Sequence, residues 1–354
     1  MAVLYDPVDL IRARLAKWGT AFVELDIFAT DDPAEIVRLV DAFCRRHLGS
    51  PLAALLFYIS SVGSTHGVKL ADGRELVIKA RPPAHTNPDH SHDVPSLTSV
   101  CRVLGWLRAR GYPCAPLVLG PTPLANGIAT VEEFFERGER GDAFRPACRK
   151  AIATGLAQLV ELLRACGAEA VAVRHVRRPA DLYPQPHAKI FDFKATATGA
   201  QWIDDFARRA REVEDAGEAP VLGHGDWRVE HLRFLDDTIV ATYDWDSLGH
   251  LPETVLVGSS AHGFTADWSR PDVRRIPTAD DVRAYIAEYE EGRGRPLSWR
   301  ERRAIFASCV YALAYSARCQ HALEPARVEW DADTFPHLLR TAGDALLAEG
   351  AGRA

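Results

Sequence analysis

Residues 224–246 read HGDWRVEHLRFLDDTIVATYDWD, and this stretch decides the fold and the candidate chemistry of the chain. Its first part is polar and contains Asp226 and Arg228, whereas residues 238–243 form a mainly apolar run that ends at Asp244. Residues 219–247, which include this stretch, are predicted to form two short strands that flank a polar loop and return the chain. We therefore expect Asp226 and Asp244 to lie at the same end of this structure.

Two carboxylates and an arginine in this order suit phosphoryl transfer from a nucleotide. That reaction needs a carboxylate to orient the attacking hydroxyl, a cation on the transferring group and oxygen ligands for Mg²⁺. We assign these roles to Asp226, Arg228 and Asp244, in that order. Arg228 could instead form a structural ion pair with Glu230 or Asp244, and His231 either binds metal or braces the loop.

Upstream of this stretch, residues 55–80 alternate strand runs with turn residues and predict a small antiparallel sheet. A GSTHGV run contains Gly63 and Gly67, which either permit a tight hairpin or allow close approach to phosphate. A VIKA run contains Lys79. Because only six of the 42 basic residues are lysines, Lys79 is a conspicuous candidate for nucleotide contact.

The chain divides into a strand-rich first part and a helix-rich second part, which predicts an α+β fold. Residues 1–53 are expected to form a helical N-terminal extension, and residues 54–135 a domain of a sheet and a helix. Residues 136–354 are expected to be mainly helical, with helices that start at Thr278 and Ser298.

Together these motifs resemble the aminoglycoside phosphotransferase and choline kinase group of small-molecule kinases, which share the protein-kinase fold. The resemblance covers roughly residues 55–345. It implies a two-lobed fold with a small antiparallel-sheet N-lobe and a mainly helical C-lobe that carries the catalytic loop, the metal site and the acceptor-binding helices. It also implies ATP or GTP as co-substrate, Mg²⁺, and a small hydroxylated acceptor.

The same resemblance implies the nucleotide-binding residues. Lys79 corresponds to the strand lysine that contacts the α- and β-phosphates. Gly63 and Gly67 fall in the loop over the phosphates, and Glu132 falls in the segment that meets the adenine.

Two positions differ from the family pattern. His231 occupies the place of a metal-binding asparagine, next to Asp244 as the other metal residue, although Mg²⁺ prefers oxygen ligands. Either His231 forms a hydrogen bond, or the second metal is lost or is a softer ion. No acidic residue occurs from Val94 to Val131, where the family helix supplies a glutamate to the strand lysine. That ion pair is then absent, or Asp93 or a residue outside the helix supplies it.

Composition excludes several classes of partner. With 42 basic and 48 acidic residues and no long run of either sign, a nucleic-acid-binding function is not expected. Seven scattered cysteines without a C-x-x-C pair favour a reducing, cytoplasmic location. The absence of an uncharged apolar stretch of about 18 residues argues against a membrane protein. Residues 136–354 carry 34 acidic and 29 basic side chains, which favours a cationic acceptor.

The leading hypothesis is an ATP- or GTP-dependent phosphotransferase that acts on a hydroxyl of an aminoglycoside-like or amino-alcohol-like small molecule. The first alternative is a kinase-fold nucleotide- or ligand-binding protein with impaired catalysis, because of His231 and the missing helix glutamate. A second alternative is a metal-dependent hydrolase built on His224, Asp226, His231 and Asp244, which predicts a tightly bound transition metal.

Overall fold

The computed structural model describes residues 5–86, 93–213 and 219–349 of the chain. Its internal contacts divide the chain into two compact units. Unit 1 comprises residues 1–136, 171–173 and 187–189, and unit 2 comprises residues 137–170, 174–186 and 190–354.

Unit 1 is built on a five-stranded antiparallel sheet with the strand order β1-β2-β3-β5-β4. Its helices are α1 (Pro7–Trp18), α2 (Phe22–Phe28), α3 (Pro33–Phe43), which continues into a π-helical turn, and α4 (Val94–Arg108). Its strands are β1 (Leu52–Ser60), β2 (Ser64–Leu70), β3 (Glu75–Arg81), β4 (Leu117–Leu124) and β5 (Gly127–Glu133).

The first three helices pack against the sheet and share one apolar core with it. Asp32 caps α3 through a hydrogen bond to the Ala34 amide, and the apolar positions of the helix face inward. The core contains residues from both layers: Ile11, Ile27, Phe28, Ile36, Val40 and Phe43 from the helices, and Leu55, Val68, Ile78 and Val131 from the sheet. The helical N-terminal segment is therefore an integral part of unit 1.

Polar contacts also join these helices to the sheet. The buried Glu24 carboxylate of α2 accepts a hydrogen bond of 2.6 Å from the Tyr58 hydroxyl of β1. The Arg14 guanidinium of α1 donates to the carbonyl of Ser60, the last residue of β1. Both contacts are made near the turn that joins β1 to β2, so α1 and α2 help to fix its position.

A fully buried histidine gives unit 1 a pH-dependent stability. His66 of β2 lies against the rings of Phe28 and Tyr58, with Nε2 3.2 Å from the Ser64 hydroxyl. Burial lowers the pKa of His66 to about 3. The unfolded chain binds this proton near pH 6.5 and the folded chain does not, so stability is complete above about pH 6.5 and falls as the pH is lowered.

We expect His66 alone to reduce the free energy of unfolding by about 2 kcal/mol between pH 7.5 and pH 5.0. Urea unfolding at the two pH values measures this loss, and the His66→Leu variant should lose less free energy than the parent chain. Replacement of the exposed His47 by leucine is the matched control and should leave the pH dependence unchanged. An equal loss in the parent and in His66→Leu would contradict the assignment.

Unit 2 is mainly helical and contains two small two-stranded sheets among its described residues. Its helices are α5 (Pro146–Leu163), α6 (Gln201–Val213), α7 (Glu253–Gly263), α8 (Ala279–Arg293), α9 (Trp299–Leu323) and α10 (Phe335–Ala348). Its strands are β6 (Pro220–His224), β7 (Leu232–Leu235), β8 (Thr238–Thr242) and β9 (Leu248–Pro252). The long helix α9 packs against α6, α7 and α10. The helix starts predicted at Thr278 and Ser298 are confirmed, each with a complete capping box.

The prediction of two short strands around residues 219–247 is wrong in number. Strand β6 precedes the polar loop, and β7 and β8 form a hairpin after it. The unpredicted β9 pairs with β6 in antiparallel register. The buried indoles of Trp227 and Trp245 anchor the chain on both sides of the β7–β8 hairpin, because Trp227 Nε1 donates to the Ile152 carbonyl oxygen of α5 and Trp245 Nε1 donates to the Thr242 carbonyl oxygen of β8.

The fold class is α+β, with a small antiparallel sheet in the first unit and a mainly helical second unit. In the described ranges, none of the helices combines the length and the apolarity that crossing a bilayer requires.

Candidate active site

The loop between β6 and β7 is held by a buried histidine. His224 Nε2 lies 2.9 Å from the Tyr243 carbonyl oxygen, to which it donates, and His224 Nδ1 lies 2.9 Å from the Ser247 hydroxyl. Burial, with a smaller effect of the nearby His231, lowers the pKa of His224 to about 4, so the ring is neutral at neutral pH. His224 thus links the end of β6 to the residues on both sides of Asp244.

Asp226 follows this brace and accepts two side-chain hydrogen bonds. Its Oδ1 lies 2.8 Å from Arg228 Nη1, and its Oδ2 lies 3.2 Å from His231 Nε2. Burial opposes ionisation, but Arg228 and His231 outweigh it and hold the pKa of Asp226 well below its usual value. Because 37% of the side chain is exposed, the ionised carboxylate is still accessible to a ligand.

Arg228 bridges two carboxylates. Besides Asp226, its guanidinium contacts Glu230 Oε2 at 3.1 Å through Nε and Nη2. This contact confirms the alternative in which Arg228 forms an ion pair with Glu230. The two acids fix the guanidinium plane next to Asp226.

Asp244 immediately follows β8, with a left-handed backbone conformation (φ 59°, ψ 51°). Asparagine, aspartate and glycine tolerate this conformation better than other residues, which fits the short polar side chain found here. Its Oδ2 lies 3.6 Å from His231 Nε2. The predicted approach of Asp226 and Asp244 is confirmed, because both carboxylates meet the same imidazole nitrogen.

Asp226 and His231 of this loop, together with Asp244 after β8, form a donor set suited to a cation. One ligand atom each from Asp226, His231 and Asp244 lies within 4.8 Å of the others. Two carboxylate oxygens and one imidazole nitrogen are a common donor combination for divalent ions. The residues therefore fit a divalent cation.

In unit 1, Lys79 of β3 forms a buried ion pair with Glu132 of β5. Lys79 Nζ lies 3.2 Å from Glu132 Oε1, and the side chains are only 11% and 8% exposed. Val77 is paired with Glu132 in the sheet, so Lys79 and Glu132 are diagonal neighbours on one face. Helix α4 has no acidic side chain, and the carboxylate that pairs with Lys79 comes instead from Glu132 of strand β5.

Asp93, the other residue considered for this pair, has a different role. Its side chain accepts a hydrogen bond of 2.8 Å from the Ser96 amide and caps helix α4. This capping role explains why an aspartate stands immediately before helix α4.

Packing accounts for both candidate glycines. Gly67 lies within β2, where a Cβ atom would clash with the ring of Phe57. Gly63 closes the β1–β2 turn, and a Cβ atom there would lie 2.7 Å from the Ala80 carbonyl oxygen. The GSTHGV run (residues 63–68) is mostly strand, and only Gly63 belongs to the preceding turn at residues 61–63.

Sequence reasoning missed the residues that hold this site. Ser247 and the Tyr243 carbonyl group were not singled out, because a hydrogen bond to a backbone carbonyl leaves no sequence pattern. The His224 brace had a signal in the His-Gly-Asp motif, where a histidine precedes the candidate aspartate by two residues. Glu132 was assigned to nucleotide contact, and its pairing with Lys79 depends on strand register.

Solved structures of similar fold are phosphotransferases. A putative aminoglycoside phosphotransferase from Ralstonia eutropha aligns with a TM-score of 0.51 and 14% identity over 88% of this chain and 96% of its own. The amicoumacin kinase hAmiN in complex with AMP-PNP, Ca²⁺ and Ami aligns with a TM-score of 0.51 and 13% identity over 83% and 85%.

Spectinomycin phosphotransferase APH(9)-Ia in complex with ADP and spectinomycin aligns with a TM-score of 0.51 and 10% identity, over 86% of this chain and 97% of its own. No protein-family model and no curated protein matches the sequence. At these identities the similarity defines the fold. The chain therefore has the protein-kinase-like fold of the small-molecule phosphotransferases.

Proposed function

We propose that this protein transfers the γ-phosphoryl group of ATP or GTP to a hydroxyl of a small molecule. The observation that carries the proposal is the convergence of Asp226 and Asp244 on His231 at the end of a loop braced by His224. One carboxylate to orient an acceptor hydroxyl and one to hold a cation are the minimum that this chemistry requires.

Asp226 is proposed to orient the acceptor hydroxyl and to receive its proton. Arg228 keeps this carboxylate ionised and oriented, and its remaining N–H groups stabilise the transferring phosphoryl group. Asp244 and His231 would hold a divalent cation, which supplies charge neutralisation for the nucleotide phosphates when it is bound.

Lys79 is proposed to contact the nucleotide phosphates, with Glu132 acting through Lys79. The ion pair fixes the direction of the lysine side chain before any nucleotide arrives. The turn at residues 61–63, which ends at Gly63, is the proposed phosphate-covering segment. Gly67 lies in strand β2, which follows this turn, and its lack of a side chain leaves room for the ring of Phe57.

The acceptor is proposed to be a cationic hydroxylated molecule of the aminoglycoside or amino-alcohol type. Residues 136–354 carry a net charge of −5, which attracts such molecules. The spectinomycin complex of the fold neighbour supports a proposal of this class.

ADP release in the presence of ATP, a divalent cation and a library of aminoglycosides and amino alcohols tests the function. We expect at least one acceptor to stimulate ADP release and to yield a phosphorylated product detectable by mass spectrometry. Stimulated release without a phosphorylated product would contradict the proposal.

A second candidate, a nucleotide-binding protein with impaired catalysis, is favoured by one observation. Both carboxylate oxygens of Asp226 already accept hydrogen bonds, from Arg228 and His231. If AMP-PNP raises the melting temperature but no acceptor yields product, this second function replaces the first.

A further inference from the structure

One imidazole nitrogen lies between the two carboxylates of the candidate active site. His231 Nε2 is 3.2 Å from Asp226 Oδ2 and 3.6 Å from Asp244 Oδ2. The resemblance described above places an oxygen-donating asparagine at this position. The chain therefore presents a nitrogen ligand where Mg²⁺ would be bound by oxygen.

The backbone holds His231 firmly in this position. Its amide donates to the Arg228 carbonyl oxygen at 3.0 Å, and its own carbonyl accepts from the Tyr243 amide at 2.9 Å. Tyr243 immediately precedes Asp244, so the same hydrogen bond sets the spacing between the imidazole and the Asp244 carboxylate. The side chain of His231 is 12% exposed, whereas that of Asp244 is 41% exposed.

The spacing of these ligand atoms suits a shared ion. Ligands that bind at about 2.1 Å lie about 3.0 Å apart around an octahedral ion and about 3.4 Å apart around a tetrahedral one. The separation of 3.6 Å between His231 Nε2 and Asp244 Oδ2 is close to the tetrahedral value. Only small side-chain movements are needed to bring Asp244 and His231 onto one cation.

The nitrogen changes the preference among ions. Mg²⁺ binds oxygen ligands and loses its water reluctantly, whereas first-row transition ions accept imidazole together with carboxylates. We propose, resting on the function proposed above, that this site binds divalent transition ions in preference to Mg²⁺, with His231 Nε2 and Asp244 Oδ2 as its protein ligands. Mn²⁺, which has the lowest affinity of these ions for sites with nitrogen and oxygen donors, is the paramagnetic probe of this preference. Asp226 is left to orient the acceptor.

Binding of Mn²⁺ to the full chain tests the ligation by the imidazole directly. In the parent protein, electron spin-echo modulation of bound Mn²⁺ should show coupling to the ¹⁴N nucleus of the imidazole. This measurement needs neither a variant nor an acceptor. Its absence from the parent protein with Mn²⁺ bound would overturn the proposal.

The variant His231→Asn supplies the second test, because it restores the oxygen donor. Mn²⁺ affinity, measured from the free-ion resonance signal, should fall at least about tenfold relative to Mg²⁺ affinity, measured by competition, and the ¹⁴N coupling should disappear. Asp244→Asn should lower the affinity for both Mn²⁺ and Mg²⁺. The matched control His47→Asn alters an exposed histidine and should change neither affinity. An unchanged ratio of the two affinities in His231→Asn would overturn the proposal.

The same samples separate this inference from the proposed function. Thermal shifts with AMP-PNP and turnover with either ion report on the function. Equal Mg²⁺ and Mn²⁺ affinities together with acceptor phosphorylation would overturn the selectivity and leave the function in place. Imidazole coupling without nucleotide binding under any ion would overturn the function and leave the metal ligation in place.

Discussion

Asp226→Asn is expected to abolish most acceptor phosphorylation while the protein stays folded. The amide keeps the shape of the side chain but cannot receive a proton, and the loss of a general base costs a factor of about 100 to 10,000 in rate. Acceptor-dependent ADP release at saturating ATP measures the effect. Circular dichroism and the melting temperature verify folding.

Two further variants show whether the loss belongs to the carboxylate. Asp236→Asn makes the same chemical change in the exposed turn of the β7–β8 hairpin, whose left-handed backbone accepts asparagine, and should retain full activity. Glu230→Gln removes the other partner of Arg228 and leaves Asp226 intact, so its effect should be smaller. Phosphorylation by Asp226→Asn at the rate of the parent would refute the assignment.

Disruption of the buried pair between Lys79 and Glu132 is expected to have the second largest effect. Glu132→Gln leaves the Lys79 ammonium in a buried position without its carboxylate, which should lower the free energy of unfolding by about 3 kcal/mol. It should also reduce nucleotide affinity, because the lysine is no longer held in one direction. Urea unfolding and the thermal shift with AMP-PNP measure the two effects.

The double variant Lys79→Met with Glu132→Leu separates stability from binding. Replacement of both charges by apolar side chains should recover most of the lost stability without recovery of nucleotide affinity. The pair Lys69 and Glu75, half-exposed on neighbouring strands of the same sheet, is the matched control. Lys69→Met should cost less than about 1 kcal/mol and leave AMP-PNP binding unchanged. Full nucleotide affinity in the double variant would contradict the role of Lys79.

The local parts of the fold were predictable from the sequence because their signals are local. The capping boxes at Thr278 and Ser298 depend on a few consecutive residues. The approach of Asp226 and Asp244 was predictable for a similar reason, since a short hairpin between them returns the chain.

The remaining features depend on pairings between distant residues. Strand β9 contains a glycine and ends in proline, both poor strand formers, and it is a strand because β6 pairs with it. The contact between Lys79 and Glu132 follows from the register of β3 and β5, which alternation alone leaves open. Neither the formation of β9 nor the contact between Lys79 and Glu132 could be inferred from the residue types close to them in sequence.

The position of Glu132 has a consequence for regulation. In protein kinases a strand lysine pairs with a glutamate on a helix, and the position of that helix controls activity. Here both partners lie on adjacent strands of one hydrogen-bonded sheet, so movement of helix α4 does not separate them. Under the function proposed above, formation of this ion pair would therefore not be a step that movement of α4 controls.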